Sequence, residues 1–146
     1  MSSLLEKYKP KKLKEWIGND FIIKNLKDFI KNYNSSKKCY LIIEGPHNCG
    51  KTELTKLFFD SLGYRIHQFS YENFKEKNNL LENIKQIYEY RNILNMFEQN
   101  NTKNVLIFDE LDALTSSTEK STLNDIISIF EKYRTKGINK CNHPIV

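Results

Sequence analysis

The run Gly45-Pro46-His47-Asn48-Cys49-Gly50-Lys51-Thr52 fits the spacing G-x-x-x-x-G-K-[ST] in full. Such a loop does phosphate chemistry. Its glycines let the chain turn so that successive amides point inward as an anion nest. A helix starting at the end of the loop adds unsatisfied amides and the positive end of its dipole. Lys51 would reach β- and γ-phosphate oxygens, and the Thr52 hydroxyl would ligate Mg²⁺. Spacing by itself gives His47 and Asn48 no catalytic role. Cys49, near a helix N-terminus, reads either as a thiol of lowered pKa or as a small space-filler.

A second set of chemical residues follows Val105-Leu106-Ile107-Phe108, where the chain reads Asp109-Glu110-Leu111-Asp112. A carboxylate at the tip of a buried strand is costly unless it meets a cation or hydrogen-bond donors. Beside a phosphate loop, Asp109 can hold Mg²⁺ and Glu110 can orient the water that attacks the γ-phosphate. The same acids could instead form a solvated turn. Asp112 is expected to cap or end that turn.

The elements that must position these groups can be read from periodicity. Cys39 to Ile43 has strand length and β-branched or aromatic character, and Leu54, Leu57, Phe58 and Leu62 after the loop fall at helical spacing. The order strand, glycine loop, helix is the context the motif requires. Upstream, Lys7 to Leu13 reads as an extended arm. Asn19 or Asp20 can cap a helix carrying Ile22, Leu26, Phe29, Ile30 and Tyr33. Downstream, Gly63 is a helix stop and Tyr64 to Phe69 alternates as a strand. A polar, turn-like stretch through Asn79 precedes a helix over 80–97, and residues 100–104 form a loop. Val105 to Phe108 is an apolar run suited to a strand covered on both faces. A helix over 118–133 and a loop over 136–142 follow. The alternation predicts a parallel, three-layer α/β domain.

The chain has 146 residues, 39% of them hydrophobic and 28% charged, which suits one globular core. Net charge is +5, and residues 1–38 hold ten lysines against four acids. That segment could face nucleic acid or polyphosphate, or be a solvated helix face. Cys39, Cys49 and Cys141 show neither pairing pattern nor metal-ligand spacing, and no apolar run reaches the ~20 residues of a membrane span. An intracellular compartment without membrane association is expected. His67, His143, Arg65, Arg91 and Arg134 fall in no motif, although the arginines could contact phosphate or a neighbouring subunit.

Taken together, these motifs resemble the AAA+ ATPases, and within them the replication factor C clamp-loader family. The stretch Glu6-Lys7-Tyr8-Lys9-Pro10-Lys11-Lys12-Leu13-Lys14-Glu15-Trp16-Ile17-Gly18-Asn19 is similar to that family's amino-terminal box. Gly45 to Thr52 and Asp109-Glu110 are similar to its phosphate loop and DExD element. The resemblance implies a P-loop fold of AAA+ type, with Tyr8, Pro10, Ile17 and Gly18 at the adenine. Nucleotide contacts would run from Gly45 to Thr52, Thr52 and Asp109 would be metal ligands, and Lys51, Asp109 and Glu110 would be catalytic. It further implies ATP and Mg²⁺ as cofactors. Partner subunits, a sliding clamp and primer-template DNA are the implied partners, in a nucleus or at a viral replication site.

Leu62-Gly63-Tyr64, Asp109-Glu110-Leu111-Asp112 and His143-Pro144-Ile145-Val146 lean towards the large subunit. Phe69-Ser70-Tyr71-Glu72 departs from the family's Asn-Ala-Ser-Asp-like segment, and His47-Asn48-Cys49 from its small loop residues. On this pattern residues 1–38 form the basic box and its helix, and 39–146 the P-loop core. Sensor 1, arginine finger, lid and collar are expected beyond Val146, in a larger protein. There, the strand beginning at Pro144 lies between the phosphate-loop strand and the Asp109 strand. Other expectations from the same residues are a different AAA+ machine such as an initiator or branch-migration motor, an inactive nucleotide-binding fragment, or a P-loop kinase.

Overall fold

The computed structural model describes residues 4–33, 40–97, 103–114, 116–135 and Val146. Cys39, Cys141, His143, Pro144 and the side chains of Arg91 and Arg134 lie outside the described residues. Six helices and two strands follow one another along the described chain: α1 (Leu4–Tyr8), α2 (Asp20–Asn32), α3 (Lys51–Ser61), β1 (Arg65–Phe69), α4 (Tyr71–Lys75), α5 (Lys77–Phe97), β2 (Asn104–Phe108) and α6 (Ser117–Thr135). Short 3-10 turns occupy Leu13–Glu15 and Leu111–Ala113.

β1 and β2 pair in parallel, with Ile66 opposite Val105 and Phe69 opposite Phe108. The strand period of two then sends alternate residues of β2 to opposite faces. Val105 and Ile107 join Leu26, Phe58 and Phe59, packing the sheet against α2 and α3. Leu106 joins Phe69, Phe74, Leu80, Ile84, Leu114 and Ile126 on the other face, under α4, α5 and α6. The result is the expected helix–sheet–helix layering. Phe108 anchors the second face, stacking on Phe69 at 5.2 Å and meeting Phe74 and Phe130 edge-on at 6.2 Å.

On its other side β2 meets Val146. The Val146 amide donates to the Leu106 carbonyl at 2.9 Å, and the Phe108 amide donates to the Val146 carbonyl at 2.7 Å. Donating and accepting around a single opposed residue is a parallel bridge. Asp109 follows β2 directly, at the strand's C-terminal tip.

Four expectations are corrected. The arm over Lys7 to Leu13 is not extended throughout: Lys7 and Tyr8 belong to α1, and Leu13 opens a 3-10 turn. The segment before the phosphate loop is no laddered strand: Tyr40 makes an isolated bridge, and residues 41–46 have no regular structure. Its alternation is real, since Leu41 and Ile43 pack with the α2–α3 cluster while Tyr40 and Ile42 are exposed. Apolar patterning places side chains, whereas a strand also needs a hydrogen-bonded neighbour. The stretch after β1 is helical rather than turn-like. The Ser70 amide donates to Asn73 Oδ1 at 2.7 Å in a reciprocal capping box that starts α4, and α5 begins at Lys77. Finally, α2 does start after Asn19, but through that residue's carbonyl. Asn19 is left-handed (φ 56°) and caps with no side-chain bond.

The stop after α3 is as predicted. Gly63 adopts φ 73°, its amide donates to Asp60, and the Tyr64 amide reaches back to Phe59. These two bonds make a Schellman ending that turns the chain straight into β1.

Candidate functional site

The phosphate loop runs into α3 through Gly50, which is left-handed at φ 85°. A residue with a Cβ resists that conformation. Asn48 is also left-handed at φ 58°, and asparagine is one of the few side chains that tolerates it. Conformation therefore accounts for a position to which spacing gave no role. Gly45 serves differently, because its φ is not positive. A methyl built on it would sit 3.3 Å from Cys49 Sγ and 3.8 Å from Lys51 Cδ. Gly45 thus leaves room for the folded loop to close on itself.

Lys51 lies across that loop, its Nζ donating to the carbonyls of Gly45 and Pro46 at 2.8 Å each. Nζ is also 3.9 Å from Sγ of Cys49, an exposed free thiol. Thr52 lies in the first turn of α3, and its Oγ1 donates to Asp109 Oδ2 at 2.8 Å. Two further donors hold the same carboxylate: Gln68 Nε2 at 3.3 Å from Oδ2 and the Glu110 amide at 3.0 Å from Oδ1. The Asp109 amide donates to the Phe69 carbonyl at 2.9 Å, carrying the β1–β2 ladder one step past the strands. A carboxylate at a strand tip is tolerated here because three donors surround it.

Glu110 follows in a left-handed conformation (φ 58°, ψ 36°) and is exposed. This turn swings its backbone off the strand line into the 3-10 turn, where Asp112 is exposed. Sequence reasoning missed Gln68. It is the penultimate residue of β1, its side chain reaches Asp109, and only strand pairing brings it there.

The donor set fits a small hard cation with phosphate oxygens. Hydroxyl and carboxylate oxygens already touch across the site, and Mg²⁺ is commonly held by one or two protein oxygens plus substrate phosphate. Among the described residues, no cluster of three or more His, Cys, Asp or Glu offers an alternative all-protein metal cage.

The amino-terminal box reaches the loop at two points. Lys9 Nζ meets Glu53 Oε2 at 2.8 Å, an exposed pair of small energetic weight. Trp16 packs on Gly50, since a methyl built there would lie 2.6 Å from Trp16 Cη2. Of the residues implied to hold adenine, Tyr8 ends α1 and is exposed. Ile17 is 95% exposed, Gly18 is left-handed at φ 88°, and Pro10 is half-buried.

Residues 40–145 match the ATPase family associated with various cellular activities (AAA). The chain belongs to this family. Its members bind nucleotide, in keeping with a complete phosphate loop opening onto a strand-tip aspartate. Relatives point the same way at lower identity. Over 141 residues the chain is 28% identical to the replication factor C large subunit of Methanococcus aeolicus, covering 94% of this chain and 28% of that protein. It is 26% identical over 157 residues to replication factor C subunit 1 of Saccharomyces cerevisiae, covering 93% of this chain and 18% of that one. It is 32% identical over 146 residues to the replication factor C small subunit of Picrophilus torridus, covering 94% and 42% respectively. The chain thus spans less than half the length of each. No helix among the described residues is long and apolar enough to cross a membrane.

Proposed function

We propose that this AAA chain is the nucleotide-binding part of a clamp-loader-type subunit, binding and hydrolysing ATP with Mg²⁺ to place a sliding clamp on primer-template DNA. The observation that carries the nucleotide half is the 2.8 Å contact between Thr52 and Asp109 beside Lys51. The clamp-loader half is supported by similarity to replication factor C subunits across 93–94% of the chain.

In this reading the backbone N–H groups of Gly45 and of His47, Asn48, Cys49, Gly50, Lys51 and Thr52 wrap the β- and γ-phosphates, with Pro46, which has no N–H, as a loop spacer. Lys51 turns from the Gly45 and Pro46 carbonyls to the phosphate oxygens. Thr52 and Asp109 hold the cation, which supplies positive charge where phosphate charge accumulates. Glu110, free of the strand line, accepts a proton from the attacking water. Residues 1–38 form a box whose Tyr8, Pro10, Ile17 and Gly18 close on the adenine. Residues 39–146 form the catalytic core. An arginine from a neighbouring subunit completes the site, as P-loop enzymes often require. The protein then acts where DNA is replicated, in a hetero-oligomer.

The test is reconstitution with partner subunits, clamp and primed DNA. ATP turnover stimulated by clamp and DNA is expected, with Glu110→Gln retaining ATP binding and losing turnover. Full turnover by Glu110→Gln overturns its role. Robust phosphate transfer to nucleosides without DNA overturns the whole assignment in favour of a kinase.

A further inference from the structure

Gln68 is a polar side chain where the strand pattern asks for an apolar one. Alternate residues of β1 face opposite sides of the sheet, and Ile66 packs into the cluster between the sheet and α2 and α3. Gln68, two residues on and opposite Ile107 of that cluster, stands on the same face near the C-terminal end of the strand. There its Nε2 donates to Asp109 Oδ2 at 3.3 Å, the oxygen that also accepts from Thr52. The glutamine is exposed, so its side chain contributes little to packing.

The three donors on Asp109 differ in what they move with. Thr52 belongs to the helix that leaves the phosphate loop, beside a Lys51 that turns from the Gly45 and Pro46 carbonyls when phosphate enters. The Glu110 amide is fixed by the chain itself and holds only Oδ1. Gln68 stands on β1, and the β1–β2 ladder runs one step further, from the Asp109 amide to the Phe69 carbonyl at 2.9 Å. Backbone bonds thus fix the spacing between Gln68 and Asp109 whether or not the loop is filled. We propose that Gln68 is a positioning residue for the cation: from β1 it holds the Asp109 carboxylate with Oδ2 towards Thr52, ready for the Mg²⁺ that arrives with the nucleotide. A side chain already held loses less freedom on binding. Gln68 acts through Asp109 and touches neither phosphate nor metal. The inference rests on the nucleotide reading above and adds to it a residue outside the phosphate loop and the strand-tip acids.

The 146-residue chain and its Gln68→Met, Asp109→Ala and double variants are titrated by calorimetry with Mg·ATP and, in the presence of a chelator, with metal-free ATP. Methionine keeps the unbranched length and loses the donor, at an exposed position where the melting temperature is expected to stay unchanged. Gln68→Met is expected to bind Mg·ATP about fivefold more weakly, the scale of one net hydrogen bond, and metal-free ATP as the wild type does. With Asp109→Ala already in place, adding Gln68→Met is expected to change neither affinity, because residues that act as a unit are not additive. Equal Mg·ATP affinity in Gln68→Met overturns the proposal. So does an equal loss for metal-free ATP, or a loss that persists beside Asp109→Ala. A wild-type chain that takes up no Mg·ATP defeats the nucleotide reading itself, a result distinct from wild-type binding matched by Gln68→Met.

Discussion

Thr52 Oγ1 and Asp109 Oδ2, 57 residues apart along the chain, lie 2.8 Å from one another. One lies in the first turn of the helix that leaves the phosphate loop, and the other directly follows β2. Their contact brings a hydroxyl and a carboxylate together where a divalent cation and a triphosphate would meet. Thr52→Ser keeps the hydroxyl and should bind Mg·ATP as the wild type does. Thr52→Ala should weaken Mg·ATP binding about tenfold or more, on the scale of hydrogen bonds to charged groups. It should leave binding of metal-free ATP nearly unchanged. Calorimetry with and without Mg²⁺ separates the two.

Gly50→Ala meets two obstacles at once. A left-handed φ costs a residue with a Cβ about 1–2 kcal/mol, and the new methyl would also run into Trp16. The melting temperature should drop, and adding Trp16→Ala should recover only the part due to collision. Full recovery in the double variant would mean that the dihedral carries no strain. Thermal melts of Gly50→Ala, Trp16→Ala and the double variant decide it.

Phe59 is fully buried between the sheet and α2, with its ring 5.2 Å from Phe58 and 5.3 Å from Tyr64, both edge-on. Phe59→Ala should cost about 3–5 kcal/mol, the range for large-to-small changes at packed aromatic sites. Phe59→Leu should cost much less. Urea melts of both variants test whether this face of the sheet is packed as described.

Tyr71 donates its phenol proton to Glu119 Oε1 at 2.9 Å, joining the start of α4 to the first turn of α6. That bond, together with burial and the Glu119 charge, raises the Tyr71 pKa above 10.0. A raised folded-state pKa means stability that is full below the unfolded value and is lost as pH climbs through the folded one. The wild type should therefore be more stable than Tyr71→Phe at pH 7 to 9, and the gap should shrink above pH 10. Thermal melts across that range check the sign.

Local features were legible because their physics is local. The glycine loop, the Gly63 stop and the period-two alternation of β2 each depend on residues a few positions apart. The strand before the loop was misread because Leu41 and Ile43 satisfy an alternation rule that says nothing about a hydrogen-bonded neighbour. The helix at Tyr71 was missed because serine and asparagine suit turns and caps alike, and only the Ser70–Asn73 geometry distinguishes them.

Sequence alone therefore determined which groups could handle phosphate and in what order strands and helices must follow. The backbone conformation of a glycine loop and the apolar character of a covered strand are short-range properties. Tertiary structure decided which distant groups meet: Thr52 and Gln68 on Asp109, and Trp16 on Gly50. Those meetings depend on parallel pairing of β1 with β2 and on how the amino-terminal arm packs against α3, and no spacing along the chain encodes either one.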